Sequence, residues 1–94
     1  MEDIQIKYNE KGHQSLAYDE YKIIGRCDYQ IKEGKWYITH TVVMSEYGGR
    51  GIAKSLVKEV IEQARKRNVK IVPVCSYAQK MMASSDEYKD VLIQ

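Results

Sequence analysis

The sequence is short of several residue types, and each shortage narrows what the chain can be. Its 94 residues contain no phenylalanine, one proline, two histidines and two cysteines. Such scattered histidines and cysteines do not have the spacing of metal ligands, so we expect no metal site. The length suffices for one domain and is too small for two, so residues 1–94 are predicted to form a single domain.

Charge of one sign is also scarce, because 15 Lys and Arg oppose 13 Asp and Glu, for a formal net charge of +2. A nucleic-acid-binding surface needs clustered and unbalanced basic residues. The run Arg65, Lys66 and Arg67 ends a predicted helix, where cations complement the helix dipole. We therefore expect no nucleic-acid partner.

Long apolar runs are missing as well. No stretch is long enough to cross a membrane, and the acidic start Met1-Glu2-Asp3 does not resemble a signal peptide. We expect no membrane association and a cytoplasmic protein. In that reducing environment Cys27 and Cys75 are expected to be free thiols, with a disulfide as the less favoured alternative.

The first half of the chain has the two-residue alternation of β-strands. Strands are predicted at Ile4–Tyr8, around Leu16 and Tyr18, at Tyr21–Lys32 and at about Lys35–Val43. The third strand is expected to place one set of side chains on a common face: Tyr21, Ile23, Gly25, Cys27, Tyr29 and Ile31. The fourth is expected to separate Trp36, Ile38, His40 and Val42 from Tyr37, Thr39, Thr41 and Val43. Because both faces are fairly apolar, this strand is predicted to be central and covered on two sides.

The periodicity changes to 3.6 residues after the glycines, which predicts a long amphipathic helix from Arg50 to Arg67 with Asn68 as C-cap. A short strand from Lys70 to Cys75 is expected to run parallel to the strand before the helix. Two short helices should follow, at the capping boxes Ser76/Gln79 and Ser84/Glu87. The fold class is therefore α/β (α+β), with a mixed, mostly antiparallel sheet, one long helix and two short C-terminal helices.

A glycine loop joins the fourth strand to the helix, with the sequence Gly48-Gly49-Arg50-Gly51. Glycines let the backbone approach a ligand closely, and amides at a helix N-terminus favour an anion. A tight turn without a ligand would have the same composition. The loop is neither a Walker loop nor a dinucleotide-binding fingerprint, because the spacing of both differs.

Three segments together resemble the small GCN5-related N-acetyltransferase-like (GNAT-like) proteins: His40-Thr41-x-Val43, Gly49-Arg50-Gly51-Ile52-Ala53 and Pro73-x-Cys75-Ser76-Tyr77. The resemblance covers about Tyr29 to Leu92 and implies a minimal acyl-CoA N-acyltransferase fold with acetyl-CoA or coenzyme A as cofactor. It assigns the pyrophosphate to Gly48, Gly49, Arg50, Gly51, Ile52 and Ala53. It assigns the pantetheine arm to Val42 and Val43, with Ser76 and Tyr77 as further cofactor-binding candidates.

In the resemblance, the pantetheine arm enters where the two parallel strands separate. Pro73 fits such a separation, because proline leaves a strand edge without a donor. The first 35 residues have no room for the two helices that form the acceptor wall in larger relatives. The acceptor side is therefore expected to be open, which favours a large acceptor or none.

Cys75 and His40 are the candidates for catalysis. Cys75 is expected at a helix N-terminus, which favours the thiolate, and in the resemblance it is a candidate acyl carrier. His40 is a candidate general base towards an amine or towards the Cys75 thiol. A buried thiol and a core histidine are the structural alternatives. Met81 and Met82 stand where relatives carry an acid tyrosine, so Tyr77 is the nearest substitute.

The sequence thus predicts an acetyl-CoA-binding N-acetyltransferase with an open acceptor site, whose partners are acyl-CoA and an unidentified amine or protein. The alternative is a non-catalytic module that binds or senses acyl-CoA.

Overall fold

The computed structural model describes residues 3–93. Met1, Glu2 and Gln94 lie outside the described residues. The prediction that the chain starts without a signal peptide rests partly on Met1 and Glu2, and so it also falls outside them. The elements in chain order are β1 (Ile4–Asn9), β2 (Gln14–Asp19), β3 (Lys22–Lys32), β4 (Lys35–Val43), a 3₁₀ turn (Ser45–Tyr47), α1 (Ile52–Lys66), β5 (Ile71–Pro73), α2 (Ser76–Ala83) and a second 3₁₀ turn (Asp86–Tyr88).

The strands form one five-stranded sheet in the order β1-β2-β3-β4-β5. The first three pairings are antiparallel and β4 pairs with β5 in parallel, so the predicted mixed α+β architecture is confirmed. Residues 10–13 alone connect β1 to β2. There is accordingly no helix between the first strands.

Helix α1 covers one face of the sheet and contacts β1 to β4. Its apolar stripe is buried, as the 3.6-residue period predicts: Ile52, Leu56, Val57, Val60, Ile61 and Ala64. Gly25 allows this close approach, because a Cβ there would lie 3.1 Å from Leu56 Cδ1 and 3.0 Å from the carbonyl oxygen of Val42. Ser15, also buried, donates its hydroxyl to the carbonyl oxygen of Leu56 at 2.8 Å.

A β-bulge in β3 corrects the predicted face of that strand. The pairing with β2 passes from Ala17↔Gly25 to Tyr18↔Ile23, which leaves Ile24 as the extra residue. Ile24 is buried, whereas Ile23 is exposed. A bulge adds one residue and so exchanges inward and outward positions on either side of it. Tyr21 and Ile31, also predicted on the inner face, are exposed as well.

A second bulge corrects the predicted faces of β4. Its pairing with β3 passes from Asp28↔His40 to Tyr29↔Ile38, so Thr39 is the extra residue. Trp36 and Ile38 are buried in the core, but His40 and Val42 are exposed on the opposite face. The prediction that β4 is covered on two sides is therefore wrong for its C-terminal half.

The long helix begins two residues later than predicted, at Ile52, because Gly51 has a left-handed φ of 77° and acts as N-cap. It ends at Lys66 with Arg67 as C-cap, one residue before the predicted cap. Asn68 has a φ of 57°, a left-handed geometry that often follows a helix end.

Helix α2 begins at Ser76, one residue earlier than a cap at Ser76 predicts, because its N-cap is Cys75. The Gln79 side chain donates to the Val74 carbonyl oxygen, so it does not complete the predicted capping box. The second capping box is also displaced, because Ser85 rather than Ser84 caps the following 3₁₀ turn. Cysteine is an uncommon cap, which is why a sequence pattern selects the neighbouring serine.

Strand β5 is shorter than predicted and ends at Pro73. Ile71 donates its N–H to Val91 on the outer side of the sheet, so Pro73, two residues on, also turns its missing N–H outwards. Pro73 is thus tolerated at an edge and does not itself separate β5 from β4. The prediction that linked this proline to the separation is wrong in that respect.

Candidate functional site

The N-terminus of α1 has no capping side chain. Gly51 supplies no side-chain hydrogen bond, and there is no acidic residue in the first turn of the helix. The backbone N–H groups of Ile52, Ala53 and Lys54 have no acceptor within the helix, because the preceding turn is absent. A positive helix end of this kind attracts an anion such as a phosphate.

The loop before α1 is open on its outer side. Gly49 and Gly51 both have a φ of 77°, and a Cβ added to either would meet no atom within 4 Å. The loop is fixed from behind, because the Tyr47 hydroxyl donates to the carboxylate of Asp19 at the end of β2. The guanidinium of Arg50 lies 5.4 Å from the centre of the Tyr47 ring. The glycine backbone is therefore held in place and accessible.

Strands β4 and β5 separate immediately after Ile38. The N–H groups of Val74 (2.9 Å) and Cys75 (3.0 Å) both donate to the carbonyl oxygen of Ile38. This pair of hydrogen bonds to one acceptor ends the β4–β5 ladder. On the other side, Met44 donates its N–H to Ile24 of β3. Alternate residues of an antiparallel strand face the same neighbour, so the backbone groups of Thr41 and Val43 face the open edge.

Cys75 lies where the two strands part. Its sulfur accepts a hydrogen bond from the N–H of Ala78 at 3.4 Å and lies 3.5 Å from the Thr41 hydroxyl. Its carbonyl oxygen accepts from Gln79, in the first turn of α2. The thiol is half-buried and free. Hydrogen bonds therefore fix both the backbone and the side chain of Cys75. The Ala78 N–H and the Thr41 hydroxyl both lie within hydrogen-bonding distance of its sulfur.

The second thiol, Cys27, is fully buried and belongs to the same cluster. The Thr41 hydroxyl donates to its sulfur at 3.6 Å. Burial is the main reason why the pKa of the Cys27 thiol rises from 9.0 to about 12. Both thiols are free.

The structure does not bring His40 to Cys75. Thr41 points towards the two thiols, so the adjacent His40 side chain points to the opposite, uncovered face. The ring Nδ1 of His40 lies 3.1 Å from the Thr39 hydroxyl. A role for His40 as base towards the Cys75 thiol has no support in this geometry.

The remaining predicted residues fall into two groups. The loop residues Gly48 to Ala53 are contiguous and exposed, except for the buried Ile52 and the half-buried Ala53. Val43 packs against the core, whereas the Val42 side chain is exposed on the uncovered face. Ser76 and Tyr77 are exposed at the start of α2, beside Cys75.

These features offer the kinds of backbone contact that an acyl-CoA needs. The uncapped start of α1 and the open glycine loop suit the pyrophosphate, and the unpaired edge at Thr41 and Val43 suits the amides of a pantetheine arm. Cys75 lies further along the same opening. The residues present therefore fit the cofactor that the sequence resemblance implies.

Two sets of contacts at the site were not predicted from the sequence: those of Thr41, which was placed in β4 without a role, and the hydrogen bond between Tyr47 and Asp19. The contact of Thr41 with the thiols could have been predicted only if the bulge at Thr39 were known, because regular alternation places His40 beside the thiols instead. Asp19 lies 28 residues from Tyr47 and had no local signal.

Among residues 3–93, no three His, Cys, Asp or Glu side chains are grouped so that they could hold a metal ion. No helix within the same residues is long and apolar enough to cross a membrane.

Comparison with known proteins identifies the family. Residues 13–91 match the model described as GCN5-related N-acetyl-transferase. The solution structure of a GCN5-like protein from Staphylococcus aureus is 35% identical, covers 99% of this chain and 91% of that chain, and has a TM-score of 0.75. The chain belongs to the GCN5-related N-acetyltransferase family. None of the curated proteins compared with it matches.

Two solved structures with bound ligands have similar folds. Naa50 from Arabidopsis thaliana, in complex with the bisubstrate analogue CoA-Ac-MVNAL, is 25% identical over 86% of this chain and 64% of that chain, with a TM-score of 0.55. An acetyltransferase from Clostridium acetobutylicum with acetyl-CoA is 21% identical over 79% of this chain and 59% of that chain, with a TM-score of 0.59.

Proposed function

We propose that this protein binds acetyl-CoA and transfers the acetyl group to an amine, on a small molecule or a protein, that enters from the uncovered side of the sheet. One observation carries the proposal: the uncapped N-terminus of α1 opens beside the unpaired edge of β4. The ligands in the Arabidopsis and Clostridium structures support it, since both contain coenzyme A.

The backbone of residues 48–53 binds the pyrophosphate in this proposal, and the Arg50 side chain adds a positive charge. The pantetheine amides pair with the backbone of Thr41 and Val43 at the open edge. The Val42 side chain borders the arm from the uncovered face, and Ser76 and Tyr77 border it from α2. This arrangement directs the thioester towards Cys75.

Cys75 is the proposed nucleophile. Its thiolate attacks the thioester carbonyl, a carbon–sulfur bond forms to Cys75, and the bond to coenzyme A breaks. The proton that Cys75 gave up is taken by the departing thiolate, so the products are acetyl-Cys75 and the coenzyme A thiol. The acceptor amine then attacks acetyl-Cys75, which gives an amide and returns the proton to the cysteine sulfur.

The acceptor approaches over the uncovered face in this scheme. His40 lies on that face, so its proposed role is as base towards the amine rather than towards the thiol. The exposed apolar side chains Ile23, Val42 and Met44 lie near the end of β4 on the same side. They provide a contact surface for an acceptor too large for a closed pocket.

A second function, an acyl-CoA sensor without turnover, is favoured by one observation. Met81 and Met82 are buried in the core, and Tyr77 is exposed in the first turn of α2. The acid tyrosine that the resemblance leads one to expect at the leaving thiolate has no buried counterpart at the predicted place.

Titration calorimetry with acetyl-CoA and with coenzyme A tests binding, and a panel of amines then separates the two functions. The proposal expects binding of both and product formation with at least one amine or protein N-terminus. Binding without any turnover would favour the sensor, and an absence of heat with either ligand would overturn both functions.

A further inference from the structure

A chain of three side chains links the core to the opening between β4 and β5. The Thr41 hydroxyl lies between two sulfurs, 3.6 Å from that of Cys27 and 3.5 Å from that of Cys75. The residues come from three separate places: β3, β4 and the N-cap of α2. Their meeting depends on the bulge at Thr39, because without it the strand would present His40 instead.

We propose that Thr41 is a positioning residue for the Cys75 thiolate, and that the buried Cys27 thiol orients the Thr41 hydroxyl for this role. The inference rests on the proposed function, in which Cys75 is the nucleophile. Beyond that function, Thr41 and Cys27 are the side chains that make the Cys75 sulfur reactive, and this role accounts for a cysteine in the core.

The hydrogens in the chain can be followed atom by atom. While both cysteines are thiols, the Thr41 hydroxyl donates to Cys27 and its oxygen can accept from the Cys75 S–H. When Cys75 loses its proton, the Thr41 hydroxyl turns and donates to the Cys75 sulfur. The Cys27 S–H then donates to the Thr41 oxygen. No proton passes along the chain, and only the direction of two hydrogen bonds changes.

Cys27 is suited to orienting the Thr41 hydroxyl because its thiol keeps its proton. It is fully buried, and this burial raises the pKa of its thiol to about 12. It therefore remains a donor under conditions in which a more exposed thiol ionises. The Cys75 sulfur would then receive two hydrogen bonds, one from Thr41 and one from the Ala78 N–H, besides the field of the α2 N-terminus.

The chain also offers a matched control. Thr39 lies two residues before Thr41 on the same strand. Its hydroxyl donates to the carbonyl oxygen of Asp28 and lies 3.1 Å from the His40 Nδ1, and these contacts involve no thiol. A Thr→Val change keeps the branched shape at either position and replaces the hydroxyl with a methyl group. Any effect peculiar to Thr41→Val is thus an effect of the contact with the sulfurs.

The test is the pH profile of Cys75 alkylation by iodoacetamide, followed by intact mass in the absence of acetyl-CoA. The thiolate is the reacting form, and Cys27 is shielded in the folded protein. Thr41→Val should slow alkylation about tenfold near neutral pH and displace its profile to higher pH, as expected for the loss of a hydrogen bond to a charged group. Thr41→Ser should restore the wild-type profile, and Thr39→Val should stay within about twofold of it.

A Thr41→Val protein that folds, by circular dichroism, and alkylates with the wild-type profile would overturn the inference. If that variant does not fold, the comparison passes to Cys27→Ala, which should displace the profile in the same direction by a smaller amount; an unchanged profile there would also overturn it. Failure of the proposed function would be seen separately, as wild-type protein that does not bind acetyl-CoA whatever its alkylation rate.

Discussion

The sulfur of Cys75 caps helix α2 by accepting a hydrogen bond from the backbone N–H of Ala78 at 3.4 Å. The same atom is the proposed nucleophile, so in this proposal one side chain serves both the fold and the chemistry. Variants of Cys75 must therefore be chosen so that the two roles can be separated.

Cys75→Ser and Cys75→Ala should differ in stability. Serine is a preferred N-cap, so Cys75→Ser should unfold at or above the wild-type denaturant midpoint, whereas Cys75→Ala should lose about 1 kcal/mol. Urea unfolding followed by circular dichroism measures both. Equal stability of the two variants would mean that the sulfur does not cap the helix. If the prediction holds, Cys75→Ser is the better variant for removing the thiol.

The glycine loop can be tested against a second glycine with the same backbone geometry. Gly51 has a φ of 77° and Gly34, in the β3–β4 hairpin, has a φ of 74°; a Cβ at either position would meet no atom within 4 Å. Valine at each position should cost about 1 to 2 kcal/mol through backbone strain alone. Only Gly51→Val should also weaken acetyl-CoA binding, by more than tenfold in calorimetry.

Gly34→Val is the control, because it carries the same strain far from the loop. An equal loss of affinity in both variants would attribute the effect to general destabilisation. Wild-type affinity in a folded Gly51→Val protein would remove the loop from the binding site.

His40 should affect only the second half of the reaction. Because it faces the uncovered side and not the thiols, His40→Gln should leave the alkylation and the acetylation of Cys75 unchanged. It should slow transfer from acetyl-Cys75 to an amine by a factor on the order of 10² to 10⁴, the usual contribution of a general base. Single-turnover mass spectrometry separates the two steps. Slower formation of acetyl-Cys75 in His40→Gln would contradict the assignment.

Much of this fold could be predicted from the sequence, because its main signals are local. The 3.6-residue stripe that includes Leu56 and Val60 predicted α1, and the alternation from Trp36 onwards predicted β4. What the sequence could not supply is the position of the bulges. A single extra residue at Thr39 exchanged His40 and Thr41, and with them the choice of side chain that meets Cys75.

The candidate loop could be predicted because glycines and a helix start have a local sequence signature. The hydrogen bond that fixes the loop could not be predicted. The hydrogen bond from Tyr47 to Asp19 joins residues from different elements, and neither has an unusual neighbour in the sequence. The cap of α2 was displaced by one residue, since Cys75 and Ser76 are adjacent and serine is the commoner cap. Such contacts depend on tertiary packing and have no pattern of their own.

The free energy of unfolding at high pH should depend on the buried thiol of Cys27. Its pKa is raised to about 12 in the folded protein, chiefly by burial, so the folded thiol keeps its proton while the unfolded one loses it above pH 9.0. The unfolded state then binds fewer protons, and the free energy of unfolding falls as pH rises from about 9 to 12, by up to about 1.4 kcal/mol per pH unit from this group.

Cys27→Ala removes that contribution. The variant should be less stable than wild type by about 1 to 2 kcal/mol at neutral pH, because a small cavity is created, and the difference should narrow as pH rises. Tyr29 and Tyr88, whose pKa values burial also raises, are present in both proteins and cancel in the comparison. Parallel stability curves for the two proteins would contradict the prediction.

The central claim is that Cys75 accepts the acetyl group, and intact mass spectrometry after incubation with acetyl-CoA tests it most directly. The account predicts one acetyl group on wild-type protein, none on Cys75→Ser, and its loss when an acceptor amine is added. Wild-type protein that binds acetyl-CoA but carries no acetyl group, even after rapid acid quenching, would contradict it, and so would an acetyl group that persists in Cys75→Ser.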